Sequence, residues 1–93
     1  MKIIWITGGS SGIGLATAKK FLQNNWKVII SARNLDKLLK IQKEILKNSQ
    51  NKHLYVYQCD ISNRSIVAKT IEKIIHELGS IDLAILNASL FTK

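Results

Sequence analysis

Proline is missing altogether from this 93-residue chain, and no Gly/Ser-rich linker, low-complexity stretch or internal repeat divides it. Nothing therefore marks a domain boundary, and the length fits one small domain that buries roughly two-thirds of its unfolded surface. Long apolar runs are lacking as well: none approaches the roughly 20 residues that cross a bilayer, so no membrane is expected as a partner. The opening MKIIWITGG begins like a secretory signal, but its apolar stretch is only Ile3 to Ile6 and no small-residue cleavage site follows. It reads as a buried first strand. Cys59 is the only cysteine and can form no internal disulfide, which fits a reducing compartment and an expected cytoplasmic location.

Acidic residues are few, six against fourteen basic ones, and the formal charge is +8. Such a balance is compatible with a nucleic-acid partner, but its distribution points elsewhere. Lys37, Lys40, Lys43 and Lys47 interleave with Leu38, Ile41, Ile45 and Leu46, the pattern of a solvated helix face opposite an apolar one. Isoleucine, lysine and asparagine are all abundant, a bias that AT-rich codons produce without selection for charge. No nucleic acid is expected.

What is present is a regular alternation. Ile3 to Ile6 is apolar without interruption, as in a parallel strand covered on both faces. Gly8 to Gly14 is a turn, and a helix from about Gly12 to Asn25 carries Leu15, Ala18, Phe21 and Leu22 at helical spacing, with Asn24-Asn25 as its stop. Lys27 to Ser31 is a second strand. A second helix spans about Leu35 to Lys47, with Asn34 as N-cap and Leu35, Leu38, Leu39, Ile45 and Leu46 inward. Leu54 to Cys59 is a third strand. Ser62 is read as the cap of a third helix that runs through Leu78 with the stripe Val67, Ile71, Ile74, Ile75 and Leu78, and Gly79 as a left-handed C-terminal cap. Ile81 to Leu86 is a fourth strand. The order β-α-β-α-β-α-β predicts an α/β fold with right-handed crossovers and a parallel sheet.

The segment Thr7-Gly8-Gly9-Ser10-Ser11-Gly12-Ile13-Gly14 carries G-x-x-x-G-x-G between a strand and a helix. At Gly8 the sharp turn needs backbone angles closed to other residues. At Gly12 a missing side chain lets a pyrophosphate approach, and at Gly14 it lets the helix pack on the sheet. The helix start presents unpaired N–H groups and the positive end of its dipole to an anion. The same glycines also suit a turn with no ligand; the flanking strand and helix favour the anion site. A Walker loop is excluded because Gly12 is followed by Ile13 and not by lysine.

TGGSSGIG resembles the signature of the short-chain dehydrogenase/reductase family, and three later stretches agree with it in order and spacing. The resemblance implies a Rossmann-type parallel sheet, strand order 3-2-1-4 here and 3-2-1-4-5-6-7 in the complete fold, with NAD or NADP as cofactor. Gly8, Ser10, Ser11, Gly12, Ile13 and Gly14 are then cofactor-binding residues. Arg33, in SARN, lies 19 positions beyond Gly14, close to the usual spacing to the residue that reads the adenosine ribose. A carboxylate there suits a free 2'-hydroxyl, whereas a guanidinium forks onto a 2'-phosphate. Arg33 favours NADP over NAD, although Ser11 stands where some NADP-preferring members carry a basic residue. In CDIS, the resemblance implies that Asp60 accepts from the adenine amino group and that Ile61 borders the ring. An aspartate there also suits the positive end of the following helix. LNAS departs at Leu86 and Ser89 from the family's Asn-Asn-Ala-Gly; Asn87 and Ala88 match.

The family's acid/base is the tyrosine of a Tyr-x-x-x-Lys motif. Tyr55 and Tyr57 are the only tyrosines, with Cys59 and Ile61 four positions on, so no catalytic residue is assigned. His53 in a polar turn and His76 beside Lys69, Glu72 and Lys73 read as solvated, Cys59 as a small buried filler, and no metal-ligand spacing occurs. Residues 1–93 are thus expected to be the NAD(P)-binding amino-terminal portion of such an enzyme, truncated before its catalytic segment and without activity of its own. A non-catalytic nucleotide-sensing or interaction module is the first alternative, and a basic nucleic-acid-binding protein is a less favoured one. The apolar fourth strand is expected as an unprotected edge that pairs with a second copy or another polypeptide.

Overall fold

The computed structural model describes residues 1–8 and 12–86. Its elements run β1 (Ile3–Thr7), α1 (Gly12–Gln23), β2 (Lys27–Ala32), α2 (Leu35–Lys47), β3 (Leu54–Gln58), α3 (Arg64–Leu78) and β4 (Leu83–Leu86). The four strands form one sheet in the order β3-β2-β1-β4, all neighbours parallel. The fold class and strand order expected from the sequence are both present. Among the described residues no helix is long and apolar enough to cross a membrane.

Alternation along β1 and β2 divides the core between the two faces of the sheet. Ile4, Ile6, Val28, Ile30 and Leu54 pack against Ala18 and Leu22 of α1 and Leu38 of α2. On the other face Ile3, Trp5 and Ile29 pack with Cys59 and with Ile74 of α3. All five residues of β1 are buried, which explains why its sequence shows no polar alternation. The Trp5 indole N–H donates to Ser31 Oγ at 2.9 Å, satisfying the polar atoms of both buried side chains.

Local chemistry accounts for the helix ends. Asn25 adopts φ 65, and the Trp26 N–H to Phe21 and Asn25 N–H to Leu22 bonds close a Schellman motif, ending α1 at Gln23. Asn34 caps α2 through Oδ1, which accepts from the Lys37 N–H at 3.0 Å. The cap of α3 differs from expectation: Asn63, not Ser62, has the extended cap conformation, and its Oδ1 accepts from the Ile66 N–H at 3.2 Å. Ser62 is drawn away because its N–H and hydroxyl both bind Asp60. Gly79 has φ 117 and ψ −174, a glycine-only region rather than the left-handed helical one expected. From there its N–H reaches the Ile74 and Ile75 carbonyls at 3.3 and 3.1 Å.

The apolar stripes are narrower than the sequence suggested. Leu35, Leu39 and Ile75 were expected inward, yet they are 37%, 45% and 48% exposed, while Leu38 and Ile74 are fully buried. Adjacent helical residues point about 100° apart, so a helix resting on a sheet buries one member of each Leu-Leu or Ile-Ile pair and leaves the other in water.

The two candidate caps give opposite expectations. Asn63→Ala should cost about 1 kcal/mol in urea unfolding, the usual loss for an N-cap. Ser62→Ala should cost clearly less; an equal or larger loss would return the cap to Ser62.

Candidate functional site

Because every strand is parallel, the ends of β1, β2, β3 and β4 lie on one side of the sheet, and each motif singled out in the sequence follows one of them. The chain steps from β1 to β2 to β3 in one direction and then returns to the other edge of β1 as β4. That reversal of strand order is where open α/β sheets leave a ligand crevice.

The turn after β1 behaves as its glycines require. Gly8 has φ 70, and its N–H donates to the Ser31 carbonyl at 2.8 Å, tying the turn to β2. Gly14 is buried within α1, whereas Gly12 and Ile13 are exposed at its first turn. A Cβ at Gly12 would meet no described atom within 4 Å. Packing among the described residues therefore does not demand glycine at position 12, and the open space suits close approach of a ligand phosphate to the backbone. The first turn of α1 carries no acidic residue that would oppose an anion at its positive end. Ser10, Ser11, Asn87 and Ala88 lie outside the described residues.

Arg33 immediately follows β2 and is exposed; Asp60 and Ile61 follow β3 and are partly exposed. The hydroxyl of Ser62 donates to Asp60 Oδ1 at 2.6 Å and its N–H to the same atom at 3.0 Å. These two bonds, the hydroxyl's first, hold the Asp60 carboxyl below its ordinary value against a small opposing desolvation, and the Arg33 charge lowers it further. Asp60 is thus held as an anion, and among the described residues both Ser62 bonds fall on its Oδ1. Gln58, which the sequence reading passed over, donates from Nε2 to the Arg33 carbonyl at 2.8 Å. No spacing rule distinguishes a glutamine at a strand end, so the pattern gave no signal for it.

The strand tyrosines are engaged elsewhere. Tyr57 donates to Glu77 Oε1, and burial, then this bond and the carboxylate's charge, push its pKa up to about 12, the wrong direction for a general base near neutrality. His53 is not simply solvated, since its Nδ1 lies 2.8 Å from the Tyr55 hydroxyl.

With this geometry in place, kinship can be assigned. Residues 2–93 match the family described as short chain dehydrogenase. The chain belongs to that family. An uncharacterized oxidoreductase of Mycobacterium tuberculosis is 38% identical over 88 residues, which are 94% of this chain and 26% of the relative. A crystal structure of a short chain dehydrogenase from Bacillus anthracis superposes with a TM-score of 0.83 at 36% identity, covering 94% of this chain and 34% of that one. An alcohol dehydrogenase of Thermococcus sibiricus, complexed with 5-hydroxy-NADP, superposes at 0.81 with 30% identity, covering 90% and 35%. The chain spans about a quarter to a third of the length of the curated relatives it matches.

The short-chain dehydrogenase chain should show the Asp60 to Ser62 coupling in solution. In Ser62→Ala the Asp60 carboxyl, followed by NMR, should titrate higher, nearer the ordinary carboxylate range. Because the folded value is depressed, the associated stability is present above the unfolded-chain pKa and is lost as pH falls through the folded one. Ser62→Ala should narrow that acid-side loss, and an unshifted Asp60 titration would contradict the assignment.

Proposed function

We propose that this chain forms the NADP(H)-binding portion of a short-chain oxidoreductase, whose reaction is hydride transfer between the nicotinamide and a carbonyl or alcohol. Arg33 at the end of β2 carries the choice of cofactor: a guanidinium at that place offers paired N–H donors to a 2'-phosphate and has no acceptor for a 2'-hydroxyl pair. The glycine turn and the first turn of α1 receive the pyrophosphate, with Gly12 leaving room for it. Asp60 takes the adenine amino group on the oxygen that Ser62 does not use, and Ile61 borders the ring. Ser10, Ser11, Asn87 and Ala88 complete the set by resemblance. The bound nicotinamide supplies the hydride chemistry, and this chain's residues supply binding and orientation. The complex of the Thermococcus relative with an NADP analogue supports the same reading.

Titration with NADPH and NADH tests it. NADPH should bind more tightly, and Arg33→Asp should reverse the preference, moving the affinity ratio by about tenfold or more, as loss of a charge-assisted bond implies. An unchanged ratio would remove Arg33 from the 2'-position. Salt-sensitive binding to DNA or RNA in place of nucleotide binding would favour the basic-protein reading instead.

The fourth strand supports a second element of function. Beyond β4 no further strand pairs among the described residues, and Leu83 and Leu86 are 40% and 62% exposed. We infer that this edge accepts another strand, from a second copy or from another polypeptide segment. Sedimentation of the 93-residue chain should show concentration-dependent association that Leu83→Lys suppresses. A monomer at all concentrations, with ordinary cooperative unfolding, would count against it.

A further inference from the structure

The Arg33 backbone is engaged by a side chain from the neighbouring strand. Gln58 is the last residue of β3, and its Nε2 donates across the end of the sheet to the Arg33 carbonyl at 2.8 Å. The rung beside it, from the Cys59 N–H to the Ala32 carbonyl at 3.0 Å, is made by backbone alone and would form with almost any residues. The Gln58 bond is different in kind, because it needs a side-chain donor of that reach at that position. Immediately after Arg33, Asn34 is fixed as the α2 cap with φ −94 and ψ 99 and with Oδ1 bound to the Lys37 N–H. The peptide between Arg33 and Asn34 is therefore restrained by a strand-end amide on one side and by a helix cap on the other.

An exposed guanidinium that rises from a loose turn loses backbone as well as rotamer freedom when it clamps a phosphate. One that rises from a restrained turn loses only the latter, and binds more tightly for the same contacts. We propose that Gln58 is a positioning residue for cofactor selection: its amide presets the Arg33 backbone, and so sharpens the preference for a 2'-phosphate over a 2'-hydroxyl without contacting either. This inference rests on the role proposed above for Arg33.

Gln58→Met keeps the length and removes the donor, and Gln58→Asn keeps an amide but falls one methylene short. Gln58 is exposed, so both variants are suited to a binding comparison in the full chain. NADPH affinity should fall by about 3- to 10-fold in each, the scale of one lost neutral hydrogen bond, while NADH affinity changes by less than about 2-fold. In an Arg33→Met background, Gln58→Met should have no further effect on the NADPH to NADH ratio.

Equal weakening of both cofactors would make Gln58 a structural residue of the strand end and overturn the proposal, as would unchanged NADPH binding. The two assignments separate cleanly. If Arg33→Met collapses the ratio and the Gln58 variants do not, Arg33 stands and Gln58 alone fails. If Arg33→Met leaves the ratio intact, or the chain binds neither cofactor, the reading of Arg33 fails and the role of Gln58 falls with it.

Discussion

Strand β1 is hydrogen-bonded on both edges, to β2 and to β4, and covered on both faces, so that all five of its residues are withdrawn from water. Burying each large apolar side chain of this kind contributes about 1.5–3 kcal/mol, and β1 concentrates more of that burial per residue than any other element here. Its central place also fixes where the chain must turn. A strand saturated on every side can release the backbone only at its end, and the turn that follows must clear both β2 and α1 within a few residues. Gly8, at φ 70 and bonded to the Ser31 carbonyl, meets that demand. Gly8 is first a consequence of β1, and only then part of the anion seat proposed for the start of α1.

The parallel arrangement carries the same constraint outward. With β1 as reference, β2 and β3 end on the same side, and the residues just after them are brought into one neighbourhood although they lie far apart in sequence. Arg33 and Asp60 are close enough for the charge of one to lower the carboxyl of the other. Small polar groups then fix the details. Ser62 commits one oxygen of Asp60, Gln58 restrains the backbone of Arg33, and Asn34 and Asn63 start the two helices that follow. The candidate site is built from strand ends and finished by hydrogen bonds that lie in short turns or between adjacent strand ends.

The amphipathic helices show where pattern reading reaches its limit. Periodicity places a stripe on a helix correctly but does not set its width, because width depends on how the helix sits on the sheet. Leu38 and Leu39, or Ile74 and Ile75, are chemically equivalent neighbours in the sequence, and only packing decides which of each pair is buried. The cap of α3 is a case of the same type: Ser62 was expected, Asn63 serves, and Asp60 engages the serine.

Element order, the parallel sheet and the glycine turn were legible in the amino-acid order itself, because uninterrupted apolar strands, helical spacing and turn glycines are local physical requirements. The strand ends at Arg33 and Asp60 were legible in the same way, whereas their candidacy as ligand contacts came from the family resemblance and, for Arg33, from its spacing to Gly14. Tertiary structure alone decided the rest: the Arg33 charge beside Asp60, the engagement of Tyr57 by Glu77, and the bond from Gln58 to the Arg33 carbonyl. Each of these joins residues on different elements or across a turn, and their separation in space is set by how helices and strands pack, which no local spacing encodes.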